Sequence, residues 1–485
     1  MDGRYVAFDS RQAQTVPFGG GVAIVGGFVQ ARNATQPLIN IPTARSSLVP
    51  PDHNNFGPRF GFAWQPLASG RMVVRGGYGI FFDRPNARLY NNQILNFPYY
   101  TLAQVFTAPI ASPFVQVPLP SAFPLDFSNA TIFPAGGPPA RLPAAVAASA
   151  CAPAGQTCVN ANGLYPDVNN FVMPYVHQYN FGVQYEFLRS WLADISYVGS
   201  AGHKLFRLRD INQGVAPGGP GLLSPGLSSL AAQGFGAHVV QSSANASYNS
   251  LQASITKRLS FGLQFLLAYT YSHSLDQYSG DASGTSDNSV VPGNQVTLND
   301  RASSDFDRRH RFVLSYLYSL PAFYKGGSRA GKLMMNDWQI AGILTFQSGT
   351  PFSVLTNANA FTQARANFAP GCTADSAALS GSVTERLNAY FSAACFVAAS
   401  GVGNFGNTGR NILVGPDQRN VDFSITKLFP LTETKRFEFR TEFFNAFNTP
   451  SFANPVNIRA SANFGQIVRT STGPRVIQFA FKFNF

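Results

Sequence analysis

The last nine residues alternate without a break: Ile477, Phe479, Phe481, Phe483 and Phe485 take one set of positions, and Gln478, Ala480, Lys482 and Asn484 the other. Successive side chains of a strand point to opposite faces, so this segment builds one wholly apolar face and one polar or small face. The apolar face needs cover. In a soluble sandwich a second sheet supplies it; in an outer-membrane barrel lipid does.

The same alternation recurs along the chain. It predicts strands over 57–66, 71–83, 178–187, 192–199, 249–259, 262–274, 310–320, 337–347, 420–428, 436–445 and 476–485, with Tyr5–Phe8 as a candidate twelfth. Most run for about 9–11 residues, the length of a tilted strand that crosses a bilayer, whereas strands of soluble proteins average about 5–6. The connections alternate in length as well. Those at 67–70, 188–191, 260–261 and 429–435 are short, and that at 321–336 is intermediate. Those at 84–177, 200–248, 275–309, 348–419 and 446–475 are long. This is the rhythm of short periplasmic turns and long extracellular loops. The expected fold is all-β, an antiparallel transmembrane β-barrel, with 11–12 strands read here as part of a larger barrel. An odd count of 11 implies a further strand within the chain or a missing N-terminal part, because bacterial single-chain barrels have even numbers and lipid cannot satisfy an open edge.

Composition removes the main competitors. Only 12% of the 485 residues are charged, while Gly (44), Phe (44) and Tyr (18) are abundant. A disordered chain would be charge-rich and aromatic-poor. No apolar run is long enough for a membrane helix. The net charge is +12, but Lys and Arg are scattered singly and form no basic stripe, so nucleic acid is not an expected partner. Dispersed positive charge at strand ends suits anionic lipid headgroups better.

Two sparse residue types fit the same layout. Cys151 and Cys158 form one local pair, and Cys372 and Cys395 another, each inside a long Gly/Pro/Ala-rich loop. They are disulfide candidates for an oxidising compartment; the alternative is four free thiols. Trp64, Trp191 and Trp338 all fall at the short-turn end of a strand, where an interfacial aromatic girdle would place them, unless chance does. The N-terminus, MDGRYVAFDS, carries Asp2 and Asp9 and lacks the apolar core of a signal peptide. Either the chain is cytosolic or its start lies upstream of Met1.

Several longer segments resemble the C-terminal half of TonB-dependent receptors, specifically the Oar-like barrel type. They are NNFGPRFGFAWQP (54–66), RMVVRGGYGIFFD (71–83), SDFDRRHRFVLSYLYSLP (304–321), DWQIAGILTFQSGTPFSV (337–354) and RNVDFSITKLFPLTETKRFEFRTEFFNAFNTPSFANP (419–455). FGQI (464–467) and FAFKFNF (479–485) complete the set, in the family's order. The resemblance implies a barrel of about 22 strands occluded by an N-terminal plug. It divides the chain into an N-terminal segment, 1–56, and a receptor barrel region, 57–485. It implies an outer-membrane location, an unidentified solute, and contact with TonB only through a plug absent from this chain. It also makes Phe479, Phe481, Phe483 and Phe485 the signal read by the barrel-assembly machinery; on their own chemistry they would simply face lipid.

No catalytic constellation stands out, and no cofactor or metal is expected. GxSxG, HExxH, a P-loop and a strand-linked GxGxxG are missing from the sequence. Asp305 and Asp307 beside Arg308, Arg309 and His310 read as local ion pairs rather than acid–base machinery, with no nucleophile nearby. Asp276, Asp281 and Asp287 share a loop but lack EF-hand spacing. The Tyr-, Asn- and Gly-rich loops at 84–100 and 400–420 suit substrate contact, or are solvated tips. The expected function is the C-terminal barrel portion of a TonB-dependent receptor. A passive pore of about 12 strands and a surface adhesion protein on a β scaffold are the alternatives.

Overall fold

The computed structural model describes residues 6–12, 14–18, 21–25, 28–33, 43, 52–84, 163–210, 237–280, 301–356, 364–400, 405–432 and 434–485. Eleven strands form one continuous sheet, bonded in sequence order. They are β1 (Arg59–Trp64), β2 (Met72–Phe82), β3 (Tyr175–Leu188), β4 (Trp191–Asp210), β5 (Ala237–Ser260) and β6 (Leu263–Asp276). The sheet continues through β7 (His310–Ser319), β8 (Trp338–Gln347), β9 (Gln418–Pro430), β10 (Arg436–Phe444) and β11 (Val476–Asn484). Every neighbouring pair is antiparallel. Each strand covers one read from the alternation. Among the described residues β1 pairs only with β2 and β11 only with β10, so the barrel is not closed.

The register shows why the alternation was so regular. Directly opposed residues share a face. One face carries the cross-strand rows Phe312↔Phe346, Phe423↔Phe443, Phe439↔Phe481 and Phe437↔Phe483. The other carries Gln184↔Asp194, Gln252↔Thr270, Thr345↔Asn420 and Glu438↔Lys482. Opposed rings stack on one another along these rows, as Phe423 and Phe443 do at 4.6 Å, and elsewhere a ring lies flat across the neighbouring strand. Glycine provides room: Tyr179 opposes Gly199 and Tyr316 opposes Gly342, each ring lying across its glycine. A Cβ on Gly342 would meet Tyr316 Oη at 2.8 Å.

All the tight turns lie at one rim. The β5–β6 hairpin turns on Phe261 and Gly262, whose φ values are both positive, 51° and 77°. That is the two-residue geometry that matches strand twist. The β7–β8 connection at this rim folds a short helix, α1 (Arg329–Met335), started by the Ser328 side chain accepting from the Gly331 N–H.

The opposite rim departs from simple loops. β4 and β5 extend well beyond the predicted 192–199 and 249–259. The upper end of β5 takes on a parallel strand, Gly163–Pro166, from within the region read as loop. Val6–Phe8, the candidate twelfth strand, does not join the main sheet but pairs with Phe28–Gln30 in a separate ribbon. The described residues of the loop at 348–419 form a folded cap. With 446–475 it builds a buried cluster of Phe352, Val354, Tyr390, Phe391, Phe396 and Leu413, joined by Phe464 and Ile467. Two short helices stand in it, α2 (Ala374–Ala377) and α3 (Val383–Asn388), each closed by a reciprocal capping box.

Candidate functional site

The chemistry of the molecule lies on its two sheet faces and in the cap. On the polar face Arg75 on β2 reaches across β3 to pair with Asp194 on β4 at 2.7 Å. Polar side chains share this wall with apolar ones, which gather at one place. There Leu266, Leu317, Ile343 and Phe444 line a concavity of about 680 Å³, edged by Asp422 and Glu442. Such a surface can contact a solute of mixed polarity through its apolar side chains and its two carboxylates.

The cap sits on the long-loop rim and is tied to the sheet by a buried ion pair. Arg410 donates to the Asp276 carboxylate, and through Nη2 to the Asp276 carbonyl at 2.8 Å. It also reaches Ser279 Oγ at 3.2 Å. Next to it, Asn411 donates to the Ser303 carbonyl at 2.7 Å and to Asp305 Oδ1 at 2.6 Å. The loop at 400–420, read as a substrate-contact candidate, thus clamps the cap to β6 and to the segment before β7. Residues 85–100, the other candidate loop, lie outside the described residues.

Cys372 and Cys395 are joined by a disulfide within the cap, 23 residues apart. Cys151 and Cys158 lie outside the described residues. Trp64 ends β1, and Trp191 and Trp338 begin β4 and β8, so all three stand at the short-turn rim on the apolar face. Two of them have a partner that sequence reading missed. Lys257 opposes Trp191 and Lys427 opposes Trp338. Each ammonium lies near its indole ring, at 5.8 and 5.6 Å, and donates to turn carbonyls, among them Leu263 O and Asn336 O. Phe479, Phe481, Phe483 and Phe485 are all exposed on the apolar face and at the end of the edge strand.

The acidic candidates separate. Asp307 pairs with Arg309 at 3.1 Å, Asp305 accepts from Asn411, and His310 Nδ1 meets Tyr269 Oη at 2.8 Å. Asp276 is committed to Arg410; Asp281 and Asp287 lie outside the described residues. Among the described residues no three His, Cys, Asp or Glu side chains gather as metal ligands.

A second girdle, at the long-loop rim, went unread. His177, His203, His273 and His310 are four of the chain's six histidines, and all stand on the apolar face among tyrosines. Tyr78 Oη meets His177 Nδ1 at 2.6 Å, and the His177 and His203 rings pack edge to face. The signal was present as Tyr175-x-His177-x-Tyr179 and Tyr269-x-Tyr271-x-His273. Tyrosine and histidine each present an apolar body and a polar tip, which suits the boundary between hydrocarbon and water.

An antiparallel sheet with one lipid-facing wall, one polar wall and a girdle at each rim is the architecture of an outer-membrane barrel protein. The chain belongs to the outer membrane beta barrel domain family, whose model matches residues 1–478, and its location is the outer membrane. No curated protein matches it. Among solved structures it is similar to the outer membrane transporter YddB from Escherichia coli, at 10% identity and a TM-score of 0.45, covering 89% of this chain and 41% of that one. It is also similar to the ferripyoverdine receptor of the outer membrane of Pseudomonas aeruginosa, at 10% identity and a TM-score of 0.39, covering 96% and 35%. A third is the FrpB iron transporter from Neisseria meningitidis, at 10% identity and a TM-score of 0.39, covering 89% and 39%. The chain thus spans about two fifths of the length of the first of these.

Proposed function

We propose that this chain is the C-terminal barrel portion of a TonB-dependent outer-membrane receptor of the Oar-like type, with residues 57–485 as its barrel region. The observation that carries the reading is the direction of the sheet's two free edges. Because every pairing is antiparallel, β1 and β11 run the same way. They cannot close on each other as an antiparallel pair. Closure needs an odd number of further strands, which makes the total even and the barrel wider than these eleven. A wide barrel leaves an open lumen unless something fills it, and a plug is what the resemblance at 54–485 implies.

In this reading the cap and the long loops capture a bulky solute, and the polar wall lines its path. TonB acts through the plug, and the terminal phenylalanines present β11 to the barrel-assembly machinery.

The test is folding and flux with the chain alone and with a segment that supplies an odd number of closing strands. The expected result is a heat-modifiable, closed species only with the added segment. If the chain alone refolds in detergent to a heat-modifiable barrel and swells sugar-loaded liposomes, it is a passive pore and the receptor reading is wrong.

A further inference from the structure

The long-loop girdle is not uniform. At β6–β7 its histidines are joined by two arginines whose guanidinium groups reach side chains of the lipid-facing side. Arg301 donates from Nη2 to Ser247 Oγ at 2.8 Å, and Ser247 opposes Leu275 on that face. Arg309 donates from Nη2 to His273 Nε2 at 2.6 Å, and its Nε pairs with Asp307 at 3.1 Å. His310 stands beside the Tyr269 and Tyr271 rings. Phe306, in the same segment, is exposed. Asp307 is buried and its other carboxylate oxygen accepts from the Ser274 N–H at 2.7 Å, so both of its oxygens are engaged within the protein.

The height of this cluster can be worked from the strand. His273 lies ten residues beyond Leu263, the first residue of β6 at the short-turn rim. At about 3.4 Å per residue that is about 34 Å along the strand. At a tilt of about 40° it is about 26 Å along the membrane normal. The lipid-facing band of such barrels is about 25 Å tall. The same spacing recurs on β3, where Phe187 at the short-turn girdle and His177 are also ten residues apart. The arginine–histidine cluster therefore meets the membrane at the depth where hydrocarbon gives way to headgroups.

We propose that Arg301, Arg309, His273 and His310 form a binding site on the outer wall of the barrel for the phosphate of an anionic lipid headgroup. A guanidinium carries five N–H donors in a planar fork that matches phosphate oxygens. The contacts above use one on Arg301 and two on Arg309. Tyr269 and Tyr271 flank the site on the hydrocarbon side, and the exposed Phe306 lies in the segment that supplies the two arginines. The proposal rests on the outer-membrane location and is independent of the receptor reading.

The test uses the full chain extracted from outer membranes and placed in nanodiscs of mixed phosphatidylglycerol and phosphatidylcholine. Protein-retained lipid is measured by native mass spectrometry. The wild-type protein should retain phosphatidylglycerol in excess of its share. Arg301→Gln and Arg309→Gln should each weaken that preference about fivefold, the equivalent of about 1 kcal/mol per basic residue at a membrane surface. Arg301→Lys, which keeps the charge but not the planar fork, should retain only part of it, and strand content by circular dichroism should be unchanged in all three. Wild-type retention in the Arg301→Gln/Arg309→Gln double variant would overturn the proposal. So would displacement of the lipid by millimolar inorganic phosphate, which would show a site for the free anion instead.

Discussion

Arg410 is the residue whose loss should be felt most sharply. It is 5% exposed and its partner Asp276 is 3% exposed, and the two are 134 residues apart in sequence. Arg410→Met removes the cation but leaves Asp276 buried with an uncompensated charge. Breaking a buried pair in this way costs about 3–5 kcal/mol. The cost falls on the docking of the cap against β6, not on the eleven-strand sheet, because no strand-to-strand bond is touched. Each 1.4 kcal/mol is a factor of ten, so cap amides that exchange through undocking should do so about two to three and a half orders of magnitude faster. Hydrogen exchange with peptide-level readout over 364–417 measures this, with β7 and β8 as the internal reference. A second variant separates charge from packing. Arg410→Met combined with Asp276→Leu removes both charges, and replacing a buried pair with apolar groups is often close to neutral. The double variant should recover most of the protection. Cap amides in Arg410→Met that exchange within about threefold of wild type, well under 1 kcal/mol, would refute the reasoning. A double variant no better than the single one would also refute it.

Three further outcomes are expected. Cys395→Ser opens the loop closed by Cys372 and should cost the cap about 3 kcal/mol by chain entropy, seen as faster exchange over 364–400 with the strands unaffected. Ser382 bonds Glu385 through its side chain and its backbone N–H, and holds that carboxyl below its usual 4.5. A depressed carboxylate supports the fold above the unfolded value and loses that support as pH falls through the folded one. α3 should therefore stay ordered at neutral pH and fray below pH 4.5, as followed by amide protection at 383–388. Deleting Phe485 should lower the amount of folded protein in the outer membrane without changing its synthesis, as read by blotting membrane fractions; wild-type levels would dismiss the terminal signal.

The strands were legible because their two environments differ so strongly. Phe437, Phe439 and Phe443 alternate with Glu438, Arg440 and Glu442 on β10, since lipid tolerates one set and a wet interior the other. The signal fades where that contrast ends. Leu208 and Val240 lie in the upper parts of β4 and β5, past the lipid band, and are buried in a cluster with Phe171 and Tyr278; Val239 beside them is buried as well. With both faces covered the period of two disappears, and both strands were cut short in the reading. The cap was illegible for a different reason. Its core draws Phe352, Phe368, Phe391, Phe396 and Phe464 from positions with no regular spacing, so only the chain's return path brings them together. The Asp276–Arg410 pair is illegible on the same ground. The histidine girdle, by contrast, is written in plain period-two spacing, as Tyr175-x-His177-x-Tyr179 shows, but histidine marks an interface less distinctly than tryptophan does.

The cap's two halves flank the β9–β10 hairpin in sequence. Phe391 of the first half packs on Phe464 of the second at 5.1 Å, and the Tyr390 N–H donates to Gly465 O at 2.8 Å. A knot of hydrophobic side chains on one side of a membrane is thus closed by a chain that has crossed that membrane down and up again between its two contributions. The cap cannot finish folding ahead of the hairpin, and long-range closure of this kind comes late. The disulfide is exempt from that delay, because both its cysteines lie in the first half. Biogenesis therefore has a built-in order: the staple can set early, the β9–β10 hairpin must follow, and only then does the aromatic cluster seal, making a sealed cap a report that the strands beneath it are already in place.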